Sequence, residues 1–174
     1  MHAPTPFTLM ARNNAWANET LYTVLAALSE EEFTDPRPGF FPSLSLTMNH
    51  ILLVDLYYID ALRRGGLGLS LRNRARVDDP AALARLQAES DLLLLAFCES
   101  LTPAMLHEER LTQRPSGPVH EKVEPLLLHL FQHQIHHRGQ AHVQLQEAGY
   151  APPQLDDFYL DHGRVPSAVA WFPR

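Results

Sequence analysis

One cysteine, Cys98, is the only thiol in 174 residues, so no intrachain disulfide can form and a reducing compartment is implied. Long apolar runs are equally scarce. The longest, Leu92 to Cys98, is far short of the roughly 20 residues a helix needs to cross a bilayer. Positive charge is in deficit too. With 14 Lys and Arg against 20 Asp and Glu, the net charge is −6 and the pI near 5.9, which argues against a partner that is nucleic acid or an anionic membrane. The opening stretch MHAPTPFTLM lacks a basic segment leading into an apolar one, so no secretion signal is read there. These absences predict a cytoplasmic protein. A composition of 45% hydrophobic and 20% charged residues, with no repeat or linker, suits one domain over residues 1–174.

What is present is concentrated between Glu124 and Gly149, in EPLLLHLFQHQIHHRGQAHVQLQEAG. Pro125 at the first helical position and Gly149 just past the end predict a long helix. Between Leu126 and Gln146 only Arg138 carries a formal charge, so this helix is expected to be covered by protein nearly all round. Its polar groups are imidazoles and carboxamides instead. His129, His133 and His137 form an i, i+4, i+8 stripe, which Gln140 and Gln144 continue. His133 and His137, one turn apart, can converge on one metal ion. This is the histidine spacing of zinc peptidases, but Gln134 stands where their general base, a Glu, would be. Gly139 in mid-helix costs about 1 kcal/mol relative to Ala, which calls for the close approach of another helix. Arg138 needs a buried partner, for which Asp55, Asp60, Asp156 and Asp157 are candidates.

Three further helices are expected. The first runs from a Thr5 cap and Pro6 to about Leu28, the second from Ser43 or Ser45 to Gly65, and the third from an Asp79 cap and Pro80 to about Leu101. On the second, His50 shares a face with Leu46, Leu53, Val54, Tyr57 and Ala61, so it is placed on the buried side. The connection after Gly65 carries Arg72, Arg74 and Arg76. It reads as a solvated loop, or as a lid offering guanidinium groups to an anionic ligand. Residues 112–119 read as an exposed connection or short hairpin, and the Pro-punctuated tail should pack Phe158, Tyr159, Leu160, Trp171 and Phe172 back onto the helices or a second subunit. The prediction is an all-α fold, a four-helix bundle with short extra helical turns and an irregular C-terminal tail. Facing helices build metal sites in such bundles, which adds His50 to His133 and His137 as a three-nitrogen site with positions left open. His129 and His136 fall behind the ligands, and His142 reads as structural or exposed. No side chain stands out as a catalytic acid or base.

Several of these segments resemble the DinB family, of the DinB/YfiT-like metalloenzyme superfamily. They are Trp16-Ala17-Asn18, Asn49-His50-Ile51-Leu52-Leu53, the end of the domain at Gly149–Pro153 and Asp156–Leu160, and above all His133–Gln140, which matches H-x-x-x-H-R-G-Q. The resemblance covers nearly the whole chain and implies a four-helix bundle, commonly dimeric, with a divalent metal on His50, His133 and His137. Zinc or nickel leads the choice of metal, with iron or manganese next. The family includes thiol-dependent S-transferases and isomerases using bacillithiol or mycothiol, besides members with no assigned reaction. A metal-dependent enzyme acting on a small molecule, with a low-molecular-weight thiol as partner, is therefore expected. The alternative is a non-catalytic, stress-related metal-binding protein. The Gly/Arg-rich loop at 65–76 and the tail beyond Asp161 depart from the family pattern.

Overall fold

Three of the four long helices begin on a side chain that caps them. The computed structural model describes residues 5–172, so the opening residues read above for a targeting signal lie partly outside it. Thr5 Oγ1 accepts from Thr8 N–H at 3.2 Å to open α1 (Pro6–Leu25), and Ser29 and Glu32 form a reciprocal capping box on the short α2 (Glu30–Thr34). Ser43 caps α3 (Leu44–Leu62) and Asp79 caps α4 (Pro80–Glu99) in the same way. A 3-10 turn at Gly68–Asn73 and the four-residue α5 (Pro103–Leu106) fill the connections.

The fourth long helix, α6 (Val123–Glu147), has no side-chain cap at its start. Strand β2 runs straight into it, and Val123 N–H donates to Glu108 C=O at 3.0 Å. That backbone bond moves the start ahead of the expected Pro125. At the other end Gly149 takes φ +85°, Gly149 N–H donates to Gln146 C=O and Tyr150 N–H reaches back to Leu145 C=O at 3.1 Å, which is a Schellman stop.

The chain is mostly helical rather than all-α. Strands β1 (Glu109–Arg114) and β2 (Gly117–Lys122) pair antiparallel, with Arg114 opposite Gly117. The hairpin is longer than the one expected at 112–119. Its pattern is inverted: Arg110 and Thr112 are buried while Leu111 is half exposed. Arg110 Nε donates to the Leu62 carbonyl at 2.8 Å, an unpaired oxygen at the end of α3.

Helix α1 packs on α4, and α3 packs on both α4 and α6. Two apolar clusters result. One gathers Tyr58, Leu62, Phe97, Leu127 and Phe131, the other Leu21, Phe33, Met48, Leu83 and Leu145. Between them lies a polar belt of Asn14, Asn18, Asp55, Gln87, Asp91, Gln134 and Arg138, all buried. It closes on itself. Gln134 Nε2 donates to Asp55 Oδ2, and Arg138 Nη1 donates to Gln134 Oε1, Asn14 Oδ1 and Asn18 Oδ1. The two Asn amides then donate to Asp91, and Gln87 Nε2 joins Asp91 Oδ1 at 3.1 Å back to Asp55 Oδ2 at 2.7 Å.

Arg138 thus finds its partners among amide oxygens, with Asp55 one link away. Of the other expected partners, Asp60 instead accepts from the Leu67 and Gly68 N–H groups, while Asp156 and Asp157 are exposed. Of the bulky tail residues, Phe158, Trp171 and Phe172 fold back while Tyr159 and Leu160 stay exposed: Phe158 stacks 5.3 Å from Trp16, whose Nε1 donates to Ser167 beside α7 (Pro166–Val169). Helix α6 is not covered all round by this chain. Leu128, Ile135 and Val143 are 52%, 50% and 55% exposed, and nothing lies within 4 Å of where a Cβ on Gly139 would sit. Among the described residues no helix is long and apolar enough to cross a membrane.

Candidate metal centre

His133 and His137 face α3 because they stand one turn apart on the side of α6 that packs against it. His50 meets them from α3. It is half-buried and not in the core as expected. The core face of α3 is Leu44, Met48, Ile51 and Asp55, which leaves His50 at its margin, looking along the seam between the helices. The ligating nitrogens of the three rings all lie within 4.8 Å of one another, and His50 Nε2 stands 2.9 Å from His133 Nε2.

That geometry suits a divalent cation. Two nitrogens bound tetrahedrally to zinc at about 2.0–2.1 Å sit roughly 3.3 Å apart, close to the spacing seen. The protonation pattern fits as well. His137 Nδ1 lies 2.7 Å from Gln140 Oε1, an acceptor, so Nδ1 carries the proton and Nε2 keeps its lone pair. Gln140 in turn donates from Nε2 to His136 at 3.1 Å, which places His136 behind the trio and not in it. Burial, reinforced by the neighbouring rings, holds His133 down at about 3. Burial, His137 and the Arg72 guanidinium hold His50 at about 4. Burial also lowers His137. All three are therefore neutral at physiological pH, the form that binds metal.

Residues not singled out by sequence frame the centre. The Phe41 ring closes one side, 4.5 Å from His50 and 5.7 Å from His137. It is held by Gln144, which donates to the Phe41 carbonyl at 2.6 Å and accepts from Thr47 at 2.7 Å. Four of the five members of the His and Gln stripe on α6 thus have a job at the centre: His133 and His137 can ligate, Gln140 orients a ligand, and Gln144 supports a wall. On the other side His50 and His133 open onto a cavity of about 370 Å³ beside Tyr57, Tyr58 and Arg114. The hairpin supplies Arg114, and no pattern in the chain pointed to it. His129 stands at the far end of this cavity with its ring 5.0 Å from Tyr58, and His142 binds the Pro153 carbonyl in the tail. A larger cavity of about 450 Å³, between α1 and α4, contains none of the three histidines.

Comparison with known proteins places the chain in a family. Residues 1–164 match the model of the DinB family. Protein DinB of Bacillus subtilis (strain 168) is 28% identical over 149 residues, covering 82% of this chain and 86% of its own length. The crystal structure of a DinB-like protein from Bacillus cereus ATCC 10987 superposes with a TM-score of 0.62 at 18% identity, over 80% of this chain and 90% of that one, a likeness of fold. With the family pattern spanning nearly every element described and the histidines of its signature gathered at one point, this chain belongs to the DinB family.

Proposed function

We propose that this protein is a metal-dependent enzyme acting on a small molecule, with His50, His133 and His137 as the ligands of a divalent cation and a low-molecular-weight thiol as one substrate. The observation that carries this reading is three neutral imidazoles converging from two helices with a cavity on one side. Three protein ligands leave a position for an exogenous one, whereas structural sites are closed by four. Zinc or nickel suits the all-nitrogen set best, with iron or manganese next. A cation held there would supply Lewis acidity and lower the pKa of a bound thiol or water toward neutrality.

The chain's own residues bind, orient and exclude. Gln140 fixes the His137 tautomer, and the Phe41 ring packs against His50 and His137. The cavity lining holds no Asp or Glu to act as a base. That absence favours chemistry in which the nucleophile arrives already ionised over the hydrolysis of an amide. The test is elemental analysis of protein purified without an affinity tag, together with turnover of thiol plus electrophile. We expect about one equivalent of metal, lost in the His133→Ala, His137→Ala double variant. A fully loaded protein that neither binds nor turns over thiols would overturn the transferase reading.

The same reading takes the chain as one domain, a four-helix bundle, that pairs with a second copy. The exposed stripe of Leu128, Ile135 and Val143 supports the pairing. It is apolar, carries no charge, and has Gly139 in its middle where a second backbone can come close.

A further inference from the structure

The geometry points to a substrate that carries a carboxylate, held by Arg72 and Arg114 in the cavity beside His50 and His133, and this inference rests on the metal-site reading above. The chain as a whole bears a charge of −6, yet this cavity is lined by two guanidinium groups and by no acidic side chain. The local sign is opposite to the global one. A protein with a surplus of carboxylates that places arginines at this opening selects for an anion there.

Of the two arginines, only Arg114 has a carboxylate partner among the described residues, so the pair keeps a net positive charge. Arg72, on the 3-10 turn, makes no ion pair among the described residues. Its Cζ lies 5.8 Å from the Tyr57 ring, and that ring is fixed because Tyr57 Oη donates to the Gln113 carbonyl. Arg114 sits at the end of β1. It donates from Nη1 to Tyr58 Oη at 3.0 Å and from Nη2 to Glu121 at 2.9 Å, with its Cζ 5.6 Å from the Tyr58 ring. Glu121 also accepts from Thr112 Oγ1 at 3.1 Å, so its carboxylate is divided between Arg114 and a hydroxyl, and Arg72 has no acidic partner among the described residues. The surplus positive charge and the remaining N–H donors suit a carboxylate, which arginine binds through paired hydrogen bonds. A volume of about 370 Å³ fits a small molecule, with its carboxylate at the arginines and its other end at the histidines.

The test uses cobalt-loaded protein and three thiols of similar size, 3-mercaptopropionate, 2-mercaptoethanol and cysteamine, with affinity read from the sulfur-to-cobalt absorption band. The expected result is binding of the carboxylate at least ten-fold tighter than of the neutral thiol, with the amine weakest. In Arg72→Met and Arg114→Met that preference falls about ten-fold at unchanged metal content, and in Arg85→Met, remote from the cavity, it stays. Equal affinities, or a preference untouched in both cavity variants, would overturn the inference. A second readout needs no metal: glutarate is titrated into metal-free protein while the Arg Nε–H resonances are followed. Shifts at Arg72 and Arg114 sustain the anion site even if thiols leave the cobalt spectrum unchanged, which would sink only the thiol reading. No shift in either resonance sinks the inference itself.

Discussion

Replacing Arg138 by Met removes the one cation of the buried belt while keeping most of the side chain's volume. Three hydrogen bonds go with it, to Asn14 at 2.6 Å and to Asn18 and Gln134 at 3.0 Å. Asp55 and Asp91 are then left without the charge that holds both carboxyls down. Removing one partner of a buried charge network costs about 3–5 kcal/mol, and because Met fills the stem's space little of that comes from a cavity. The cost depends on pH with a definite sign. Burial already raises Asp55 to about 7 and, with help from Asp55, Asp91 to about 8, far above their unfolded values. Stability from these carboxyls is thus complete below about pH 4 and declines as pH rises through 7 and 8. Near pH 5 both are protonated in the folded wild type, so Arg138 has no anion to balance and its loss costs only the three hydrogen bonds to amide oxygens, a smaller amount. At pH 8 its loss costs the full amount. Urea unfolding followed by Trp16 and Trp171 fluorescence, with chelator present throughout, measures both. A destabilisation below about 1 kcal/mol at pH 8, or one equal at pH 5 and pH 8, would refute the reasoning.

Other expectations follow from the same features. Because burial keeps His50 near 4 and His133 near 3, metal affinity should change less than about five-fold between pH 7.5 and 6.0. Three ordinary imidazoles with a pKa of about 6.5 would lose roughly fifty-fold, and competition titration against a chromophoric chelator separates the two. Chelation at pH 7.5 should lower the melting temperature by several degrees, which calorimetry reads directly; no change means the centre holds no metal. Gly139→Ala should stabilise an isolated chain by up to about 1 kcal/mol, since nothing crowds that position. Ile135→Glu should convert a dimer to a monomer in sedimentation velocity, and an unchanged sedimentation coefficient would remove the pairing proposed across α6.

Helix starts were legible because Thr5-Pro6, Ser43 and Asp79-Pro80 state them locally; turn spacing gave the His133 and His137 pair, and the apolar face of its own helix added His50. The hairpin was legible only as one of two readings at 112–119, and its full length was not, since Arg110 and Thr112 point inward and Leu111 outward, the reverse of the pattern that marks a half-buried strand. The belt was half visible. Arg138 called for a buried partner and Asp55 was among the candidates, but Asp91 lies in a helix whose sequence offers no reason to prefer it over Glu89. Phe41 escaped because its position depends on Gln144, 103 residues away. The expectation of an α6 covered nearly all round misread the absence of charge, which here marks a face left apolar toward the outside.

The closed belt also decides how the helices line up. Leucines and phenylalanines tolerate sliding past one another by a turn, because one apolar neighbour replaces another at small loss. Seven matched donors and acceptors from four helices do not. Displacing any helix by about 5.4 Å would strand an ion between greasy surfaces. The arrangement therefore admits one alignment, and it is the alignment that brings His50 level with His133 and His137.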